Sequence, residues 1–186
     1  MEKEFTVRKM VYLALLITLN VIFTRFFSFR FAIGGVEGIR LGVGGLPIIM
    51  AGLLFGPAAG AIAGALGDVT GFLVSSMGAY MPHFTLAAAL TGAIPGLIVK
   101  YVFDCRFTFW RVLAAVGIGQ ILTKVILVPY FLTILFEMPY EATFLPAALG
   151  QAFNIPLYTS LLVVLCRRLL AGGFLNSRLV SCKLNE

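Results

Sequence analysis

The sequence predicts an all-α integral membrane protein in which six transmembrane helices form one bundle. The first observation is composition: of 186 residues, 60% are hydrophobic and 12% are charged, about half the charged share of soluble domains. Mean hydropathy is correspondingly high, at +1.01. The second observation is that the apolar residues form runs of nearly membrane-spanning length. A soluble core of this size would need polar faces on its helices, and those faces are mostly missing.

Six apolar runs predict six helices, at roughly residues 8–26, 42–55, 58–75, 84–103, 110–136 and 143–168. The second and third runs are short against the ~20 residues of a full span. Only the turn at 55–57 separates them, and Pro57 is suited to open the next helix. Because no Ser- or Pro-rich linker divides the chain, residues 1–186 are predicted to form a single domain.

The basic residues predict the orientation of the bundle. Ten of the fourteen lysines and arginines lie on one side if the helices alternate, three lie between Arg25 and Arg40, and Lys124 lies inside a run. Cytoplasmic loops carry the excess of basic residues in membrane proteins. Both termini are therefore predicted to be cytoplasmic (N-in, C-in). The net charge of +6 then reflects anchoring at the anionic inner leaflet of the lipid bilayer, and no nucleic-acid partner is needed.

Asp68 is a carboxylate placed where charge is costly. It follows Gly56, Gly60 and Gly64 at a spacing of four, so these residues share one face of the third predicted helix. Small residues at this spacing let a neighbouring helix approach closely, whereas a charge at the bilayer centre costs about 2.5–3.5 kcal/mol. Two interpretations follow: Asp68 lines a solute cavity, or it pairs with Lys124 or with backbone N–H groups purely for packing.

Two further polar groups are candidates for the same cavity. Arg30 and Arg40, in the outer loop of residues 25–42, are suited to an anionic solute because a guanidinium binds a carboxylate by two hydrogen bonds. An ordinary solvated loop explains them as well. Gln151 and Asn154 are three residues apart on the sixth predicted helix, so they share a face. That face is either a cavity wall or a polar contact between helices.

The start of the fourth predicted helix supplies the remaining candidates. Tyr80, His83 and Phe84 offer rings at the outer mouth, and Thr85 offers a hydroxyl that caps the helix or binds a ligand. The interfacial aromatic belt of membrane proteins explains Tyr80 equally well.

Motifs that carry catalysis are missing from the sequence. There is no Walker A or HExxH motif. A single histidine, and three cysteines without a CxxC pair, argue against a metal site and against Ser/His/Asp or Cys/His catalysis. No catalytic residue, metal or cofactor is therefore predicted, and a binding protein is favoured over an enzyme.

Several elements stand together in residues 40–100: Arg40 before a glycine-rich helix start, Leu46-Pro47, Phe55-Gly56-Pro57, Gly67-Asp68 with Gly71, and Tyr80 ahead of Pro82, Phe84 and Thr85. Together they resemble the substrate-capturing S components of energy-coupling factor (ECF) vitamin transporters, closest to the folate-specific branch. The chain departs from that pattern at one position, where His83 replaces an expected glycine.

The resemblance implies a multi-pass protein of a bacterial cell membrane that binds folate from outside with high affinity. It also implies docking onto a membrane coupling (T) component driven by two cytoplasmic ATPases, which consume the ATP. Docking in the family uses small residues on the first helix, here Ala14 and Thr18, although internal packing explains them as well.

Folate fits the candidate residues chemically. Its pterin has an amino-pyrimidine donor edge suited to Asp68 and Asn154, and a flat ring suited to Tyr80 and Phe84. Its glutamate tail is suited to Arg30 or Arg40.

The sequence is also compatible with two alternatives. One is an S component for another vitamin, such as riboflavin or thiamine, and the other is a small integral-membrane enzyme.

Overall fold

The computed structural model describes residues 2–26, 28–30, 40–74, 80–103, 108–137 and 139–171. Of these, residues 2–6, 28–30, 40–41, 136 and 170–171 are described by their backbone alone. Seven α-helices, two short strands and one π-helical segment occur in these ranges. The helices are α1 (Glu2–Phe26), α2 (Gly45–Phe55), α3 (Pro57–Val74), α4 (Pro82–Tyr101), α5 (Phe109–Gln120), α6 (Val128–Phe136) and α7 (Tyr140–Ala171). The strands are β1 (Ser28–Arg30) and β2 (Arg40–Gly42), and the π-helical segment Ile121–Leu127 joins α5 to α6.

The helices match the six predicted runs, because α5, the π-helical segment and α6 form one continuous rod. Five stretches of the described chain are long and apolar enough to cross a membrane: Val7–Phe26, Pro57–Val74, Pro82–Tyr101, Phe109–Leu135 and Tyr140–Leu169. The sixth helix, α2, has 11 residues. Large apolar side chains cover the outer surface, among them Leu15, Leu73 and Phe153, as expected where the surrounding solvent is lipid. The predicted all-α membrane class is confirmed.

Helix α2 is short because the chain enters the bundle as extended backbone. Strands β1 and β2 pair antiparallel, with Arg30 opposite Arg40, so the predicted helical run from residue 42 begins instead at Gly45. The Asn20 Nδ2 group donates a hydrogen bond to the Gly44 carbonyl (3.0 Å), and the Tyr158 hydroxyl donates to the Gly42 carbonyl. These bonds satisfy backbone groups that have no helical partner inside an apolar bundle.

Helices α2, α3 and α4 are in contact through their backbones. A Cβ atom added to Gly60 would lie 2.5 Å from the Gly92 carbonyl oxygen, and one added to Gly64 would lie 2.2 Å from the Ala88 oxygen. A Cβ on Gly52 would lie 2.1 Å from the Gly92 oxygen. Glycine is needed at these positions because no side chain fits between the helices. The close helix approach that the sequence predicts on this face of α3 is therefore present.

The turn between α2 and α3 also needs glycine, for a conformational reason. Gly56 has φ of 97°, which a residue with a Cβ rarely adopts. Pro57 then opens α3 with the fixed φ that suits a first helical position.

Replacing Gly60 with alanine is expected to destabilise the protein by about 1–3 kcal/mol, the usual cost of overpacking. Gly117→Ala is the matched control, because a Cβ there meets only Ile155 Cγ2 at an ordinary 3.8 Å. That control is expected to be neutral or slightly stabilising. Thermal unfolding in detergent measures both, and equal melting temperatures for the two variants would contradict the tight contact.

Candidate ligand-binding site

A cavity of about 420 Å³ lies inside the bundle, within the size range of small-molecule sites. Its walls come from α1, α3, α4, α7 and the rod of α5, the π-helical segment and α6. Its remaining wall is the link between β2 and α2, where Gly42, Gly44 and Gly45 expose backbone. Every helix thus contributes residues, Gly45 and Ile48 in the case of α2, around a space that contains charged and amide groups.

Five residues predicted from the sequence line this cavity: Asp68, Tyr80, Phe84, Gln151 and Asn154. They come from three separate helices and the segment before α4, so only the tertiary structure brings them together. Asn154 is 4% exposed, and Asp68 is half-buried. Their placement on the wall is what a solute-binding role requires, and the role itself remains a prediction.

Thr85 does not line the cavity itself but is hydrogen-bonded to Asp68, which does. Its hydroxyl donates a hydrogen bond to Asp68 Oδ2 (2.7 Å) and lies 3.0 Å from the Tyr80 hydroxyl. A threonine hydroxyl has one proton. Because that proton goes to the carboxylate, the Tyr80 hydroxyl donates to Thr85. The chain of hydrogen bonds fixes the Asp68 carboxylate and the Tyr80 ring relative to each other.

The remaining predicted residues lie elsewhere. The exposed His83 ring contacts Phe131, with ring centroids 5.1 Å apart, and His83 is not among the residues that line the cavity. The His83 ring thus packs against α6 and does not face the cavity, where it was considered as a ligand-binding residue. The side chains of Arg30 and Arg40 lie outside the described residues, so their predicted role at the mouth stays a prediction.

Most of the lining residues were not among the predicted site residues, and three of these carry a charge or an amide near the predicted ones: Arg25, Gln120 and Lys124. Arg25 was counted only toward the charge of the outer loop. In the structure its guanidinium lies beside Gly71, where an added Cβ would be 3.3 Å from a guanidinium nitrogen. Lys124 and Asp68 line the same cavity, and their direct pairing remains a prediction.

The sequence contains a pattern that could have predicted Gln120 as a cavity residue, because it lies four residues before Lys124. Gln120, Lys124, Val128 and Leu132 all line the cavity. In an α-helix such a row drifts by about 40° at each step, or roughly 120° over three steps. The π-helical turns of residues 121–127 are wider, so they reduce this drift and keep the row on the cavity side.

The two predicted docking residues lie on the outside of the bundle. Ala14 and Thr18 on α1 are exposed, and the Thr18 hydroxyl bonds to the Ala14 carbonyl of its own helix (3.0 Å). The buried side of α1 is formed by other residues, namely Leu16 and Asn20. Internal packing therefore does not account for Ala14 and Thr18. Within the described ranges, no three His, Cys, Asp or Glu residues are grouped to hold a metal ion.

An apolar helical bundle around a polar-lined cavity defines a membrane-embedded binding protein. The model of the family described as the ECF-type riboflavin transporter S component matches residues 4–170. The chain therefore belongs to this family of transporter S components, and the resemblance seen in residues 40–100 is confirmed.

Relatives agree with this placement. A protein of Clostridium novyi (strain NT) named Folate transporter FolT is 35% identical over 152 residues, which cover 82% of this chain and 84% of that protein. The solved structure of FolT bound with folic acid superposes with a TM-score of 0.66 and 25% identity, covering 92% of this chain and 96% of that one. A biotin S component from an ECF-type ABC transporter, 18% identical, has a TM-score of 0.71 over 92% of this chain and 95% of its own. The last similarity supports the fold alone.

Removing the Thr85 hydroxyl is expected to lower the stability of the ligand-free protein. Thr85→Val leaves the Asp68 carboxylate without its donor, and we expect a loss of about 1.5 kcal/mol, at the low end for bonds to charged groups because the site is partly exposed. Thr85→Ser keeps the hydroxyl and serves as the control. Thermal unfolding of the ligand-free protein measures the difference, and equal stability of the two variants would show that the bond does not matter.

Proposed function

We propose that this chain is the folate-binding S component of a bacterial ECF transporter. The observation that carries the proposal is the Asp68 carboxylate, held by Thr85 on the wall of an internal cavity beside the Tyr80 and Phe84 rings. The 35% identical relative named as a folate transporter and the similarity to the FolT structure containing folic acid support the same ligand.

The cavity residues suit each part of folate. The amino-pyrimidine edge of the pterin has adjacent N–H donors, and the oxygens of Asp68 and Asn154 are acceptors suited to them. Tyr80 and Phe84 provide aromatic surface for the flat ring. Arg25 provides a cation on the wall for the carboxylates of the glutamate tail. Arg30 and Arg40 are predicted to bind the same tail at the mouth.

These contacts are sufficient in magnitude for tight binding. Stacking on an aromatic ring is worth about 1–3 kcal/mol by analogy with base–aromatic contacts, and a hydrogen bond to a charged group about 1.5–3 kcal/mol. A few contacts of each kind reach the ~12 kcal/mol of a nanomolar complex.

Transport requires partner proteins, and membership of the S-component family implies which ones. The S component captures folate outside the cell and docks onto a membrane coupling (T) component through the exposed face of α1 around Ala14 and Thr18. Two cytoplasmic ATPases attached to that component hydrolyse the ATP. The basic residues favour the N-in, C-in orientation in the bacterial cell membrane, and the S component itself performs no chemical reaction and uses no cofactor.

The description of the matching family favours one alternative, riboflavin as the ligand. Riboflavin has a flat donor–acceptor ring but no carboxylate. It would bring no anionic group to a wall that carries Arg25 and Lys124.

Purified protein is expected to bind folate much more tightly than riboflavin or thiamine, as measured by calorimetry. Asp68→Asn should weaken folate binding about 30-fold, equivalent to about 2 kcal/mol, because the amide cannot accept two bonds from the pterin edge. Unchanged folate affinity combined with a lower melting temperature would instead assign Asp68 to packing.

The arginines separate folate from an uncharged ligand. Arg25→Ala, Arg30→Ala and Arg40→Ala should each be tested against folate and against a folate analogue lacking the glutamate tail. If an arginine binds the tail, its replacement weakens the binding of folate and leaves the binding of the analogue unchanged. Mass spectrometry of small molecules released from the purified protein gives an independent check, and a co-purified flavin would refute the folate assignment.

Bulky substitutions on the exposed face of α1 are expected to abolish transport without affecting binding. Ala14→Trp and Thr18→Trp enlarge a surface on which helices approach through small residues. Labelled-folate uptake in cells containing the coupling component and ATPases should fall to background, while the folate Kd stays within about twofold. Leu97→Trp, at an exposed position on α4, is the control and should transport normally.

A further inference from the structure

Two buried polar atoms in the cavity lack a hydrogen-bond partner among the described residues: Gln120 Nε2 and Gln151 Oε1. Both side chains line the cavity, and Gln120 is only 1% exposed. A buried amide without a partner is unfavourable, and such groups in a native structure call for an explanation. Here one orphan atom is a donor and the other is an acceptor, so a ligand carrying the opposite groups would satisfy both.

The Gln120 donor lies where α2 begins. A Cβ atom added to Gly45, the first residue of α2, would be 3.4 Å from Gln120 Nε2 and 3.4 Å from the Tyr158 hydroxyl. Within the described part of the chain, no side chain caps this helix, whose amino-terminal end carries a partial positive charge. The Gln120 side of the cavity therefore attracts an electron-rich atom.

The Gln151 acceptor lies on a different part of the wall. Tyr158, which marks the Gln120 region, is seven residues further along α7, or about 10 Å along the helix axis. Gln151 belongs to the part nearer the start of α7, and Asp68 is a second acceptor on the wall. The cavity thus offers an amide donor at the α2 end and the acceptors Gln151 and Asp68 on other parts of the wall. This fits a flat heterocycle whose polar edge has a ring carbonyl oxygen at one end and ring N–H and amino groups beside it.

We propose that Gln120 is a specificity-determining residue, whose Nε2 group donates a hydrogen bond to the ring carbonyl oxygen of the pterin while Gln151 Oε1 accepts from a pterin N–H. This inference rests on the proposed folate function and defines which way the ring faces: its carbonyl is directed toward the start of α2.

The test compares folate with the analogue in which the ring carbonyl is replaced by an amino group. In the wild type the Gln120 donor would face another donor in the analogue, so folate should bind at least about tenfold more tightly. Gln120→Met keeps the length of the side chain and loses the donor. It should weaken the binding of folate about tenfold and the binding of the analogue by less than about twofold. The preference of the wild type should then shrink at least about fivefold, and any preference that remains belongs to the ring N–H that the analogue also lacks.

Gln120→Glu provides a second variant of nearly identical shape. Its carboxyl group accepts a bond from the amino group of the analogue, so the preference should reverse. The matched control is Thr159→Val: Thr159 is fully buried and donates to the Ile155 carbonyl (2.8 Å), away from the cavity wall. This control should leave the ratio of the two affinities at the wild-type value.

Ligand-free stability distinguishes ligand binding from a structural role. If Gln120 serves the ligand, Gln120→Met should melt at or above the wild-type temperature, because an unpaired buried amide is removed. A lower melting temperature with an unchanged affinity ratio would overturn the proposal. Absence of folate binding by the wild type would refute the folate function and this subsite together, whereas tight folate binding with no selectivity against the analogue would refute the subsite alone.

Discussion

Direct contact between backbones holds α3 against α2 and α4, and the geometry of the cavity depends on it. Gly60 and Gly64 let α3 lie directly on α4. One turn beyond Gly64, this contact brings Asp68 within hydrogen-bonding distance of Thr85. A wider separation would remove that bond, and the carboxylate would lose the group that orients it. The glycines of α3 thus have a second effect beyond packing, because they position the charge that follows them.

The cavity exists because α2 does not fill its place in the bundle. Its 11 residues rise about 16 Å, roughly half of the ~30 Å hydrocarbon core. The chain leads into it as extended backbone, which Asn20 and Tyr158 hold in place. Residues from the surrounding helices reach the space that remains. The π-helical turns of residues 121–127 keep Gln120 and Lys124 directed into it over a long stretch of rod.

Helix α1 takes part in both proposed activities. Asn20, Thr24 and Arg25 contribute to the cavity wall, whereas Ala14 and Thr18, which precede them on the same helix, face outward. The helix contacts α2 and α3 and has little of its surface buried. It is therefore the element shared by the proposed ligand site and the proposed docking surface.

Composition and hydrophobic runs determined the class, the number of helices and the tight turn at Gly56-Pro57, because burial in lipid and the φ requirement of a turn are local properties of a sequence. The family resemblance also came from residues close together in the chain. The bounds of α2 could not be predicted, since strand pairing with Ser28–Arg30 decides where that helix begins. Likewise, polar residues inside apolar runs indicated a cavity or a polar contact without distinguishing the two.

That distinction depends on distances between residues far apart in sequence. Only the tertiary structure placed Asp68 with Gln151 and Asn154 around one space, turned His83 toward Phe131, and added Gln120 and Arg25 to the wall. The physical reason is that helical periodicity fixes which residues share a face, whereas the rotation of one helix against another is fixed by packing over its whole length.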